Sequence, residues 1–151
     1  MVSAFVDKGL SKEEAAQRLW FVDQHGIIVK SRDDLMSHNI PYAHDYEQLS
    51  FVDAIKAIKP HILIGATGAP GTFTQEVIET MSEINDRPAI FALSNPTSRA
   101  ECTAEQAYEW SDGRAIFTSG SPFDAVKHKG KTHQPGPVSY THLTLPTILR
   151  V

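Results

Sequence analysis

Apolar residues gather in short, dense runs along this chain, and what lies between the runs sets out a repeating order of elements. His61-Ile62-Leu63-Ile64-Gly65, Pro88 to Leu93 and Arg114 to Thr118 have strand length. Their near-continuous apolar character predicts strands buried in a parallel sheet. Between them the pattern turns helical. Phe51-Val52, Ile55 and Ile58 share one face, closed by Pro60, and Val77, Ile78 and Met81 mark a second helix. Ser11-Lys12-Glu13-Glu14, Thr72-Phe73-Thr74-Gln75 and Thr103-Ala104-Glu105-Gln106 have the spacing of capping boxes. In that arrangement a hydroxyl and a Glu or Gln side chain each satisfy a backbone N–H at a helix start. Gly113 is placed to end the third helix.

Nearer the N-terminus, Leu19-Trp20-Phe21-Val22 predicts a strand that stops at Asp23-Gln24-His25-Gly26. Ile27-Ile28-Val29 follows too closely for a parallel crossover, so it is either a continuation past a bend or half of a hairpin. Ser31 to Ser50 loses periodicity and predicts an irregular surface connection. Strands alternating with helices imply an α/β fold built on a doubly wound parallel sheet. Ligands in such sheets collect beyond the carboxyl ends of the strands, which directs attention to Asp23, Gly65 to Gly71, Ser94 to Thr97 and Ser119 to Pro122.

Length and composition narrow the choices. A chain of 151 residues has room for one domain of roughly 100 to 150 residues. With 41% hydrophobic residues it has the material for a packed core. Fourteen basic against eighteen acidic side chains give a net charge of −4, which argues against nucleic acid and anionic membranes as partners. No apolar run approaches the roughly 18 residues of a membrane helix. Met1 to Leu10 contains Asp7 and lacks a basic flank, unlike an export signal. The single cysteine, Cys102, permits no internal disulfide, and the cytoplasm is the expected address.

Each candidate site residue has a functional and a structural use. Asp23 suits hydrogen bonding to ribose hydroxyls, or a simple turn before Gly26. Gly65, Gly68 and Gly71 allow backbone to approach a phosphate or ribose, or merely a tight strand-to-helix connection. Their spacing is neither the dinucleotide fingerprint nor a Walker loop. Asn95 can donate to a carboxylate or ribose oxygen, or form an Asx turn before Pro96. The seven histidines show no HxxxH or HExxH spacing, and Ser121 lacks a nucleophile elbow, so neither a metal site nor a hydrolase is expected within this chain. Cys102 beside Glu101 reads as structural, and Trp20 and Trp110 as core residues.

Four segments together resemble the malic enzyme family: Leu19 to Lys30, Lys59 to Gly65, Arg87-Pro88-Ala89-Ile90-Phe91-Ala92-Leu93-Ser94-Asn95-Pro96-Thr97-Ser98, and Gly113 to Phe123, which includes Ser119-Gly120-Ser121-Pro122-Phe123. The likeness runs from about Val2 to Gly136 and implies a Rossmann-like NAD(P)-binding domain. By that resemblance the function is oxidoreductase chemistry: oxidative decarboxylation of (S)-malate to pyruvate and CO2, with reduction of NAD or NADP and dependence on Mg or Mn. Asp23 would contact the adenine-side ribose. Gly65, Ala66, Thr67 and Gly68 would lie near the nicotinamide-side ribose, and Asn95 would bind the malate carboxylate or that ribose. Gln24 and His25 stand where a lysine would favour NADP, whereas Lys30 and Arg32 leave NADP open; NAD is the expected cofactor.

The family's catalytic tyrosine and lysine, its metal-binding carboxylates and its glycine fingerprint lie N-terminal to the matching segments. No catalytic or metal-ligating residue is therefore expected in this chain. A substrate-binding Asn-Asn pair expected soon after Gly136 is replaced by Pro137-Val138-Ser139. The expected organisation is a partial NAD(P)-binding domain over 1–136, lacking its first strand, and a foreign, disordered tail over 137–151. The missing strand is expected between the strand ending at Asp23 and the strand ending at Leu93, leaving both open, so the isolated chain should be marginal and inactive. A homo-oligomer is expected for the whole enzyme. A malolactic enzyme fragment and a non-catalytic nucleotide-binding module are the alternative readings.

Overall fold

The computed structural model describes residues 2–137. They fall into two compact units that divide after Ala57.

The first unit opens with helices α1 (Val2–Val6) and α2 (Lys12–Gln17). The capping box at Ser11 forms as predicted: Glu14 N donates to Ser11 Oγ at 3.1 Å and Ser11 N donates to Glu14 Oε2 at 2.8 Å. The Ser11 backbone N–H first, the Ser11 hydroxyl second and the charge of Arg18 last hold the Glu14 carboxyl below the usual range. Strands β1 (Val22–Asp23) and β2 (Gly26–Ile27) pair antiparallel, Val22 opposite Ile27 and Asp23 opposite Gly26. Of the two readings open for Ile27 to Val29, the hairpin is the one that forms. Gly26 has φ +105°, and a side chain there would collide with the Leu49 carbonyl. Ile27, Ile28 and Val29 are fully buried, each worth roughly 1.5–3 kcal/mol relative to exposure. The irregular stretch after Ser31 folds back on them: Lys30 N donates to His44 O and His44 N to Ile28 O. Helix α3 (Phe51–Ile58) then stops where Pro60 predicts, with Lys59 in the left-handed region at φ +53°.

The second unit carries the parallel sheet. Strands β3 (Ile62–Gly65), β4 (Ala89–Ala92) and β5 (Ile116–Ser119) lie side by side in the order β3-β4-β5, all parallel. Helix α4 (Gln75–Ile84) connects the first two and α5 (Ala104–Trp110) the next two, the Rossmann-like alternation that the sequence predicts. Val77, Ile78 and Met81 form the buried face of α4. The α4 cap differs in detail from the spacing. Thr74, not Thr72, accepts from Val77 N, while the Thr72 hydroxyl donates to Ala69 O at 2.7 Å. At α5 the predicted Thr103 and Gln106 box is complete. A hairpin of β6 (Val126–His128) and β7 (Lys131–His133) follows β5.

Three expectations change. The strand ending at Asp23 belongs to the small antiparallel hairpin and not to the parallel sheet, because its partner is reached by a two-residue turn. The strand ending near Leu93 is not open: β4 is hydrogen-bonded to β3 on one side and β5 on the other. The edge of the described sheet is instead β3, whose Ile62 and Ile64 are only half-buried while Leu63 and Gly65 are buried. Burial on both faces, read from its apolar run, holds for the central β4 and not for this edge strand. Finally, Gly136–Pro137 forms a short strand, β8, parallel to β5. The chain thus rejoins the sheet at the residue where the foreign tail was expected to begin; the rest of that tail lies outside the described residues. Proline suits such an edge position because it has no N–H to leave unpaired.

Candidate functional site at the carboxyl ends of the strands

In the second unit the loops after β3 and β4 meet around one carboxylate. Glu101 is fully buried. Its Oε1 accepts from Thr67 N at 2.8 Å, from the Thr67 hydroxyl at 3.0 Å and from the Ser94 hydroxyl at 2.5 Å, and Oε2 accepts from Ser94 N at 3.4 Å. The same Ser94 oxygen accepts from Gly68 N at 2.8 Å. Burial pushes the Glu101 carboxyl up, but the hydrogen bonds from Ser94 and Thr67 outweigh it and hold the group below the usual glutamate range. Thus Glu101 is an anion held by neutral donors.

Gly65 is buried because this carboxylate needs the space. A Cβ there would lie 2.5 Å from Cγ of Glu101 and 2.8 Å from the Phe73 ring. Its glycine serves packing against the protein itself, the structural alternative open in the sequence. Ala66 and Thr67 are exposed beside it, and Gly68 turns the chain at φ +66°. Asn95 projects from the end of β4, exposed, at a cis Asn95–Pro96 peptide. Its Oδ1 accepts from the Ser121 hydroxyl at 2.9 Å, and the Ser119 hydroxyl donates to Ser121 O at 2.6 Å. With Oδ1 engaged by Ser121, Nδ2 is the donor end of an exposed amide. Gly120 lies against the Leu93 carbonyl, where any side chain would collide.

Asp23 lies in the first unit, in the β1–β2 hairpin. It accepts from Arg32 Nη1 at 2.9 Å and Nη2 at 2.8 Å, and from His25 N at 2.8 Å. Arg32 also reaches Asp34 through Nε at 2.8 Å and Nη2 at 2.7 Å. Its side chain is 4% exposed, against 37% and 49% for the two carboxylates. The Arg32 hydrogen bonds hold both Asp23 and Asp34 below the usual range, and Asp34 and Asp23 in turn raise the guanidinium. The cluster of one cation and two anions carries a net charge of −1.

Of the residues selected from sequence, Gly65 to Gly68, Asn95 and Ser121 come together at the strand ends, and Asp23 does not share that sheet. Glu101 was missed as a site residue, and Ser94, within the strand-end stretch singled out from the sequence, was given no role of its own. Glu101 stands between Ala100 and Cys102, and nothing local in that triplet marks it as a buried carboxylate. Burial first, and the neighbouring Glu101 second, push the Cys102 thiol up to about 12, consistent with the structural role expected for it. Trp20 and Trp110 are half-buried, not core. Trp20 stacks on His44 with centroids 3.6 Å apart.

A family model described as "Malic enzyme, NAD binding domain" matches residues 1–147. This chain belongs to the malic enzyme family. A relative named "NADP-dependent malic enzyme 4, chloroplastic", from Arabidopsis thaliana, is 53% identical over 133 residues, covering 87% of this chain and 21% of the relative. One named "NADP-dependent malic enzyme, chloroplastic", from Solanum lycopersicum, is 50% identical over 137 residues, covering 89% and 24%. Another named "NADP-dependent malic enzyme", from Dictyostelium discoideum, is 50% identical over 140 residues, covering 90% and 26%. The chain thus spans about a fifth to a quarter of the length of these malic enzymes. The expected cytoplasmic address is corrected by the chloroplastic names of the first two. A single cysteine excludes an internal disulfide but does not choose between compartments.

The exposed Asn95 amide and the exposed residues Ala66 and Thr67 fit the ribose hydroxyls of a nicotinamide dinucleotide. The metal is a different case. Among the described residues no group of three His, Cys, Asp or Glu could hold an ion, so no metal-dependent step is derived for this malic enzyme domain.

Proposed function

We propose that this chain is part of a longer malic enzyme and supplies portions of its dinucleotide and malate sites. The reaction is oxidation of (S)-malate with hydride transfer to the nicotinamide, then decarboxylation to pyruvate and CO2. The observation that carries this reading is the exposed Asn95 amide after β4, held through Oδ1 by the Ser121 hydroxyl so that Nδ2 is its donor end. Such a donor orients a carboxylate or ribose oxygen and performs no proton chemistry itself. The bound dinucleotide supplies the hydride acceptor.

The test is Asn95→Ala in the full-length protein, with malate oxidation followed by absorbance of the reduced dinucleotide. A fall of about a hundredfold in kcat/KM is expected from loss of orientation. An unchanged rate, or no malate oxidation by the unaltered enzyme, overturns the reading.

For the dinucleotide we propose NADP, supported by the names of the relatives and by Arg32 beside Asp23, where an arginine can meet the extra phosphate. Asp34 has to release the guanidinium for that contact. Saturation of the full-length enzyme by NAD and NADP tests this: preference for NAD means that Arg32 stays paired and that Asp23 meets ribose hydroxyls.

A further inference from the structure

The groups around Glu101 form a cradle for an anion: one backbone N–H and one hydroxyl from Thr67, and one of each from Ser94. Elsewhere, such donors in a glycine-containing loop at a strand end bind phosphate. Here a protein carboxylate fills the place, and a second tie runs from Gly68 N to the same Ser94 oxygen. The backbone of the Glu101 turn joins in, since Phe73 N donates to Glu101 O at 3.1 Å. Glu101 therefore fixes both ends of the loop from Gly65 to Phe73, the Thr67 end through its side chain and the Phe73 end through its backbone carbonyl.

We infer that Glu101 is a positioning residue for the dinucleotide site: its buried carboxylate occupies the anion cradle of the loop after β3, closing it to phosphate and tying that loop through Thr67 to Ser94, the residue before Asn95, for an uncharged part of the ligand. This rests on the proposed malic enzyme reading. Glu101 touches no reacting atom and works through Thr67 and Ser94. Its charge also disfavours any ligand phosphate on this side of the site.

The test compares Glu101→Gln and Thr67→Val with the unaltered full-length enzyme, using Glu105→Gln, exposed on α5, as control. Hydrogen exchange of peptides covering residues 65–72 reads the loop directly, and steady-state kinetics with NADP and NAD read its effect. Glutamine keeps one acceptor but turns an N–H pair toward Ser94 N, and valine removes one donor from an exposed position. Loop exchange is expected to rise about tenfold in both variants, with the strands still protected. KM for the dinucleotide should rise about tenfold with kcat little changed. Unchanged loop exchange overturns the inference, and so does a loosened loop with unchanged KM, which makes Glu101 purely structural. If Glu101→Gln does not fold, Thr67→Val decides by the same two readings. An unaltered enzyme that binds neither dinucleotide defeats the malic enzyme reading itself, whereas normal binding with insensitive variants defeats only the role of Glu101.

Discussion

The two units solve the same problem, how to hold a carboxylate in place, by opposite means. Around Asp23 the answer is opposite charge at the surface: Arg32 lies between Asp23 and Asp34, and both carboxylates keep contact with water. Around Glu101 the answer is neutral donors in the interior, with no cation among the partners. Such pairs gain little where water and salt already stabilise the charges, as they do for these two carboxylates though not for the nearly buried Arg32 side chain. A buried carboxylate depends on its hydrogen bonds, and without it the buried Ser94 donors lose their partner where water does not reach. The first cluster can therefore be rearranged by a ligand, and the second acts as a fixed frame.

The sharpest way to break that contrast is Glu101→Ala, which removes the anion and orphans several donors. A loss of about 3 kcal/mol is expected by urea unfolding, and a loss under about 1 kcal/mol would mean that the interior cradle is no stronger than a surface pair. Acid separates the clusters next. Because Glu101 is held below the ordinary value, its contribution is fully present above an unfolded pKa of about 4.3 and disappears as pH falls through the lower folded value. Thermal midpoints of the unaltered protein should thus fall more steeply below about pH 4 than those of Glu101→Gln. Parallel curves would remove the carboxylate from the account.

Arg32→Lys is expected to cost about 1 kcal/mol or less, since one point charge cannot serve two carboxylates as the planar fork does. In about 1 M salt that difference should shrink, while the Glu101→Ala difference should persist. The smallest effect belongs to Lys129→Ala. Lys129 pairs with Asp112 where both are well exposed, and no measurable change in the unfolding midpoint is expected.

Local signals were legible from the sequence wherever their partners were close along the chain. The Ser11 and Thr103 capping boxes span three residues and formed as spaced. The Thr72 box had equally good spacing, but the Ala69 carbonyl took its hydroxyl, and Thr74 capped the helix instead. The three parallel strands were visible as apolar runs. Their order was not, because periodicity reports which residues are buried and says nothing of which strand lies beside which. Asn95 could be picked out from its place between a buried strand and a proline. The Glu101 contact to Thr67 crosses 34 residues, and no local pattern announces a carboxylate that will be buried by a turn so far away. Asp23 is intermediate: the residue was readable as a candidate, while its engagement by Arg32 nine residues on was not.

The Trp20–His44 stack gives the molecule a built-in optical asymmetry. Trp20 lies face to face with an imidazole in the first unit, with Tyr46 edge-on beside it, whereas Trp110 closes α5 in the second. A stacked imidazole drains indole emission, more strongly once protonated, so the two tryptophans should brighten differently as each unit opens. Emission traces from Trp20→Phe and Trp110→Phe would then show whether the surface-paired and the carboxylate-framed halves melt together or in turn.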